Sequence, residues 1–265
     1  MLALTRAVPR SIDRCELTHL AREPIDYARA VAQHSAYEEA LHRVGCRVQR
    51  LAAEPDFPDS VFVEDTAVVF DQVAVIARPG AESRRGEVDA MIEALRPLRV
   101  LRFIEAPGTL DGGDVLVTPG RVFVGISGRT NPEGARQLAA HIAPFGFEVL
   151  QVPVEGCLHL KSAVTVAALP PDGGAALLIN PDWISPRHFT DFDLIEVDPA
   201  EPAAANVLAI NGHVICAEEH FRTRARLEAR GVTTLAVPAG ELARAEGGVT
   251  CCSVLVTDAP THPRG

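Results

Sequence analysis

Apolar, strand-like stretches open at Val61, Asp111, His159, Asn206 and Cys251, at intervals of 50, 48, 47 and 45 residues. A period of this size marks one supersecondary unit used repeatedly rather than a set of unrelated domains. Each unit reads as strand, strand, helix. Such a unit cannot bury its own apolar face, so its copies pack on one another and close around an axis. The spacing predicts one α/β domain over 1–265. Its strand entrances would meet at the axis although they lie up to 190 residues apart.

Local signals agree with this period. "SVFVEDTAVVF" (60–70) and "VAVIARP" (73–79) read as paired strands, followed by a helix over 83–98 with Ser83 as N-cap. "DVLVTPGRVFVGIS" (114–127) reads as a hairpin turning at Pro119-Gly120, and the helix over 131–145 has Asn131 as cap and Pro132 in its first turn. A third strand pair is expected over 159–169 and 175–180. A fourth, over 205–220, turns at Asn211-Gly212 and leads into a helix over 221–231. The last strand, 249–257, would pair with the opening segment of the chain.

A formal net charge of −10, with no cluster of Lys and Arg, is the opposite of a nucleic-acid-binding footprint. No stretch approaches the roughly 18 apolar residues of a membrane span, and Arg6, Pro9 and Arg10 break the N-terminus before a signal-peptide core could form. A cytoplasmic location is therefore the expectation. The six cysteines show no Cys-x-x-Cys pair and no structural zinc spacing, so most are expected to be small buried hydrophobes.

The unit entrances carry chemistry of one kind. The first holds Asp59, Glu64 and Asp65. Adjacent carboxylates in an apolar run are costly to bury unless they meet a positive charge, and strand alternation would turn only one of Glu64 and Asp65 inward. The second holds Asp111 and Asp114 around two glycines, the third His159 and the fifth Cys251. A Cys, a His and an Asp supplied by separate elements form a constellation for nucleophilic catalysis. Surplus carboxylates would oppose an anionic acyl-transfer intermediate but suit a cationic electrophile such as a guanidinium. Arg84, Arg85 and Arg129 stand near helix starts, where a free amino acid's carboxylate could be received.

"VFVEDTAVV", "RPGAESRRGEV", "LDGGDVL", "GRTNPEGA", "LHLKS" and "GGVTCCSV" together resemble the dimethylarginine dimethylaminohydrolases, members of the guanidino-modifying pentein superfamily. The matches run in family order from about residue 59 to 256. The resemblance implies a five-bladed α/β propeller with pseudo-fivefold symmetry. It also implies hydrolysis of asymmetric dimethylarginine and monomethylarginine to citrulline and a methylated amine, with no metal or organic cofactor. It assigns Cys251 as nucleophile, His159 as acid and base, and Asp111 as the residue that orients it. Glu64 and Asp65 would hold the guanidinium, Arg84 and Arg129 the α-carboxylate, and Asp59 the α-amino group. A lid near Leu17 would add a main-chain contact. Relatives often have Asp where Glu246 stands, which leaves that member of the substrate-binding set with an open role. The partner is a small molecule, with a homodimer left open.

Three other readings compete. An arginine deiminase would use much the same residues on unmethylated arginine but generally carries an extra helical domain, for which repeats that already fill the chain leave no room. A non-catalytic pentein could merely bind a cationic amino acid. A regulator could capture Zn²⁺ through Cys251, Cys252 and His159, though a fourth ligand at diagnostic spacing is missing. Between the two cysteines, strand alternation would point Cys251 at the axis and Cys252 into packing.

Overall fold

In a computed structural model, which describes residues 1–169 and 174–258, the chain forms five small three-stranded sheets. Each sheet is an antiparallel strand pair extended by a third, parallel strand. In the first blade, Ala67–Val69 pairs antiparallel with Val73–Ile76, which pairs parallel with Val100–Phe103. Val115–Thr118, Arg121–Ile126 and Glu148–Pro153 make the second. Val164–Ala168, Ala176–Ile179 and Asp193–Glu196 make the third, and Leu208–Ile210, His213–Ala217 and Thr234–Val237 the fourth. The fifth joins the two ends of the chain. Val254–Val256 pairs antiparallel with Leu2–Arg6, as the sequence predicts, and Leu2–Arg6 pairs parallel with Arg47–Leu51.

A parallel neighbour needs a crossover, and helices supply it, three of them predicted and a fourth, Tyr27–Arg43, not read from the sequence. Val88–Leu95, Pro132–Ile142, Phe221–Ala229 and Tyr27–Arg43 connect middle to outer strands in four blades. Asn131 caps the second of these by accepting the Gly134 N–H at 2.8 Å. Ser83 is not a cap. It lies inside a 3₁₀ stretch, Glu82–Glu87, and its hydroxyl donates to Glu16 instead. The turn at Asn211-Gly212 has positive φ at both residues, the primed geometry that suits a twisted hairpin.

The middle strands are apolar on both faces, and the pleat divides their side chains between two neighbours. Val73 and Val75 join the second blade's Val122 and Val124 in one cluster, while Ala74 and Ile76 join Leu2 and Leu4 of the fifth blade in another. Phe123 packs with Leu177 and Ile179, and Leu178 with Val214 and Cys216. Ile215 meets Ala3 in a further cluster that also holds Cys252. There is thus one apolar cluster for each blade interface, and the last interface closes the ring. This is a five-bladed α/β propeller.

The structure corrects the sequence reading in one respect that matters for the site. The inner strands do not run to the axis. Each is preceded by a single helical turn: Val63–Thr66, Gly112–Asp114, Leu160–Ala163, Pro202–Ala205 and Thr250–Cys252. The first touches the second and the fifth, the second touches the third, and the third touches the fourth. His159 and Asp111 are the extended residues just before such turns, and Cys251 lies within one.

Candidate active site

A short helical turn rotates successive side chains by about a third of a circle instead of alternating them. Both carboxylates of the Glu64-Asp65 pair are therefore drawn inside, towards opposite ends of the axis. Asp65 lines a small cavity with Cys251, His159, Arg84 and Arg129. Glu64 lines the other end, an axial cavity of about 240 Å³ walled by inner-strand residues such as Val68, Leu116 and Val166. There Glu64 accepts from Lys161 Nζ at 2.6 Å and from the Thr250 hydroxyl at 2.7 Å. Glu64 is thus engaged away from Asp65, at the turn that carries the cysteine.

The imidazole is held from several sides. His159 Nε2 lies 3.1 Å from Asp111 Oδ2, and Nδ1 lies 3.9 Å from Asp65 Oδ1. Gly113 makes this approach feasible, because a Cβ there would stand 2.6 Å from Nδ1 and 2.8 Å from Asp65 Oδ1. Burial alone would lower the histidine's pKa, but Asp65, Asp111 and Asp114 overcome it and raise it to about 9. Asp65 is held well below the usual carboxylate range: burial opposes its ionisation, and His159, Arg84 and the Gly113 N–H prevail. His159 is an imidazolium at neutral pH.

The sulfur has the opposite problem. Cys251 is pushed up to about 12, first by burial and then by Glu64 and Asp65, while the Gly248 N–H at 3.3 Å and Lys161 pull the other way. Burial and these carboxylates outweigh the neighbouring positive groups, and Cys251 rests as a thiol. Cys252 is buried in the cluster between the fourth and fifth blades and shows 1% exposure. It faces packing as expected, although helical rotation rather than strand alternation puts it there. It does not join a metal-ligand set. Among the described residues, the grouping with ligand atoms within 4.8 Å of one another is Asp65, Asp111 and His159.

The two arginines differ. Arg84 is buried with its guanidinium engaged: Nη1 donates to Asp65 at 2.7 Å, Nε and Nη2 to Glu87, and Nη2 also reaches the carbonyls of Asp59 and Phe62. It anchors Asp65 more than it offers a free receptor. Burial and Arg84 compete over Glu87, and burial wins, raising it to about 7. Arg129 is also buried, yet its Nη1 has no hydrogen-bond partner among the described residues and stands 3.8 Å from Asp111 Oδ2. Asp59 accepts the Glu16 N–H, Leu17 packs half-buried on the core, and Glu246 binds the backbone of residues 18–20.

Four supporting residues fall outside the set assigned from sequence. Asn206 accepts the Thr250 N–H and donates to Thr250 Oγ1, each at 3.0 Å, and also donates to the Lys161 carbonyl. It clamps the turn one residue before the sulfur. Asp114 accepts the Leu160 N–H and the Ser127 hydroxyl, fixing the backbone beside His159. Lys161 pairs with Glu64, and Glu87 with Arg84. Asn206 had a legible signal, since it stands at the fourth recurrence of the period. Lys161 and Glu87 had none, because only the closed ring shows their partners.

A cysteine, a histidine and carboxylates gathered at the axis of a five-bladed α/β propeller define a guanidino-modifying enzyme of the pentein class. The family model described as N,N dimethylarginine dimethylhydrolase, eukaryotic, matches residues 14–164, and the chain belongs to that family. It is 38% identical over 255 residues to the N(G),N(G)-dimethylarginine dimethylaminohydrolase of Pseudomonas aeruginosa, covering 95% of this chain and 97% of the relative. The Streptomyces coelicolor enzyme of the same name is 41% identical over 242 residues, 90% of each chain. A crystal structure of the Pseudomonas aeruginosa enzyme, a cysteine-to-serine variant complexed with citrulline, superposes with a TM-score of 0.89 at 35% identity, covering 95% of this chain and 97% of that one.

Proposed function

We propose that this protein hydrolyses Nω-methylated arginines, asymmetric dimethylarginine and monomethylarginine, to citrulline and the methylated amine through a covalent intermediate on Cys251. The observation that carries the reading is the charge balance at the sulfur. Burial first, and then Glu64 and Asp65, hold the thiol protonated, so the nucleophile needs further positive charge to ionise it, and a guanidinium brings it. Asp65 is the acidic side chain that meets this cation, and Arg129 Nη1 is the free donor for the α-carboxylate. Asp59 takes the α-amino group in exchange for the Glu16 N–H.

Binding of the cation displaces the thiol proton to solvent, and the thiolate attacks the guanidinium carbon. The His159 imidazolium gives its proton to the departing dimethylamine as the C–N bond breaks, leaving an S-alkylthiouronium and a neutral imidazole. His159 then takes a proton from water, whose oxygen adds to the same carbon. Collapse of that adduct breaks the C–S bond, the hydroxyl proton passes to the departing sulfur, and citrulline is released with the thiol restored. Asp111 keeps the ring oriented through both transfers.

Citrulline formation from arginine, monomethylarginine and the two dimethylarginines tests the substrate. Turnover is expected with the first two methylated forms above and not with arginine; preference for arginine would favour a deiminase. Cys251→Ser should abolish turnover, and rapid-quench mass spectrometry of the wild type should show a covalent adduct on the peptide containing Cys251. Full turnover by Cys251→Ser would overturn the mechanism.

A further inference from the structure

The cavity shared by Cys251 and His159 measures about 10 Å³. That is at most the room of about one water. A larger cavity, about 450 Å³, lies alongside; Glu16, Arg129 and Leu158 line both, and Thr18 and His19 line the outer one, so the segment Glu16–His19 forms part of the partition. No amino-acid substrate reaches the sulfur while this segment is down. It must open in every cycle, and something must return it.

Apolar packing does little of that work. Residues 18–24 are exposed, have no regular structure, and include Leu20 with 51% of its surface in water. Polar bonds hold the segment instead: Asp59 accepts the Glu16 N–H, Ser83 donates to the Glu16 carboxylate, Arg129 reaches the Thr18 hydroxyl, and the amides of 18–20 converge on one side chain. Glu246 accepts three successive backbone N–H groups, Thr18 at 2.9 Å and His19 and Leu20 at 2.5 Å each. Consecutive amides turned onto one anion make a concave receptor of the kind that binds carboxylates and phosphates, here filled by the protein's own side chain. Glu246 also has φ of +57°, a left-handed conformation that a non-glycine residue adopts only where its surroundings impose it.

The geometry points to Glu246 as the latch of the lid, a positioning residue rather than a substrate ligand. It stands five residues before Cys251, on the loop whose Gly248 N–H bonds the sulfur. Closing the lid therefore braces the loop that presents the nucleophile, and opening it frees both at once. The charge is required: a glutamine would turn one end of its amide, itself a donor, towards backbone donors. An aspartate, one methylene shorter, reaches fewer of the three.

The test uses the unliganded full-length protein and needs no turnover, so it stands apart from the assigned substrate. Glu246→Gln should speed hydrogen exchange at the amides of 18–20 and alkylation of Cys251 by iodoacetamide, each by at least about tenfold, the scale of losing charge-assisted hydrogen bonds. Exchange in the middle strand Val73–Ile76 should stay at the wild-type rate. Glu246→Asp should fall between wild type and Glu246→Gln, and serves if the latter fails to fold. With asymmetric dimethylarginine, KM should rise more than kcat falls. Unchanged exchange at 18–20 would overturn the latch. So would a raised KM with unaltered alkylation, which would return Glu246 to the substrate-binding set.

Discussion

Cys251 and Cys252 are one position apart, yet their sulfurs meet different surroundings. One lines the small cavity with His159 and accepts an N–H from Gly248; the other lies among apolar side chains with its thiol directed to the Gly248 carbonyl. The environment of Cys251 makes a kinetic prediction. In free enzyme, iodoacetamide alkylation at pH 7 should be slow and rise about tenfold per pH unit through the neutral range, as expected for a thiol titrating near 12. A cationic amidine electrophile should react faster at the same pH because it carries the charge that ionises the sulfur. A rate independent of pH would contradict a protonated resting thiol. A second prediction concerns Asn206, which holds both the N–H and the hydroxyl of Thr250. Asn206→Ala should lower kcat by about tenfold or more, the scale of two hydrogen bonds misplacing a nucleophile, and leave KM within a few-fold. Steady-state kinetics with asymmetric dimethylarginine separates the two parameters. Neither cysteine's fate nor the role of Asn206 follows from residue type. Both depend on a helical turn that apolar patterning reads as the start of a strand.

At the scale of elements, the middle strands carry the stability. Leu178 is fully buried in the interface between the third and fourth blades. Leu178→Ala should cost about 2–5 kcal/mol, measured as a lower denaturant midpoint at unchanged m-value. The hairpins, their turns at Gly120 and Asn211-Gly212, and the Asn131-capped helix were legible because local chemistry decides them. The outer parallel strands were not. Arg47–Leu51, Val100–Phe103 and Glu148–Pro153 are half-exposed edges with weak patterns, and they become strands only because a middle strand offers them a ladder. The inner helical turns escaped for the related reason that they lie inside apolar runs. A buried polar side chain in such a run is better served by leaving the sheet, where it finds donors such as the Gly113 and Leu160 N–H groups.

For the whole molecule, closure of the ring brings like and unlike charges into one buried volume, and stability should register it. The His159 pKa is raised from 6.5 to about 9, so its stabilising contribution is fully present below pH 6.5 and lost as pH rises through 9. Asp65, lowered from 3.8, contributes above that value and loses the contribution as pH falls through its depressed pKa. The stability difference between wild type and His159→Gln should therefore be largest near pH 6 and shrink by pH 10. Urea unfolding at both pH values measures it, and a constant difference would mean that the imidazolium is not held by these carboxylates. The sequence by itself determined the repeated unit, its number, and which residues stand at the entrances, because period and residue type are properties of the chain. Only the tertiary structure decided how those residues face: Glu64 away from Asp65, Arg84 consumed and Arg129 left with a free donor, Glu246 folded onto the lid. Direction and partnership at a buried axis depend on which charges five distant segments bring together, and no single segment encodes them.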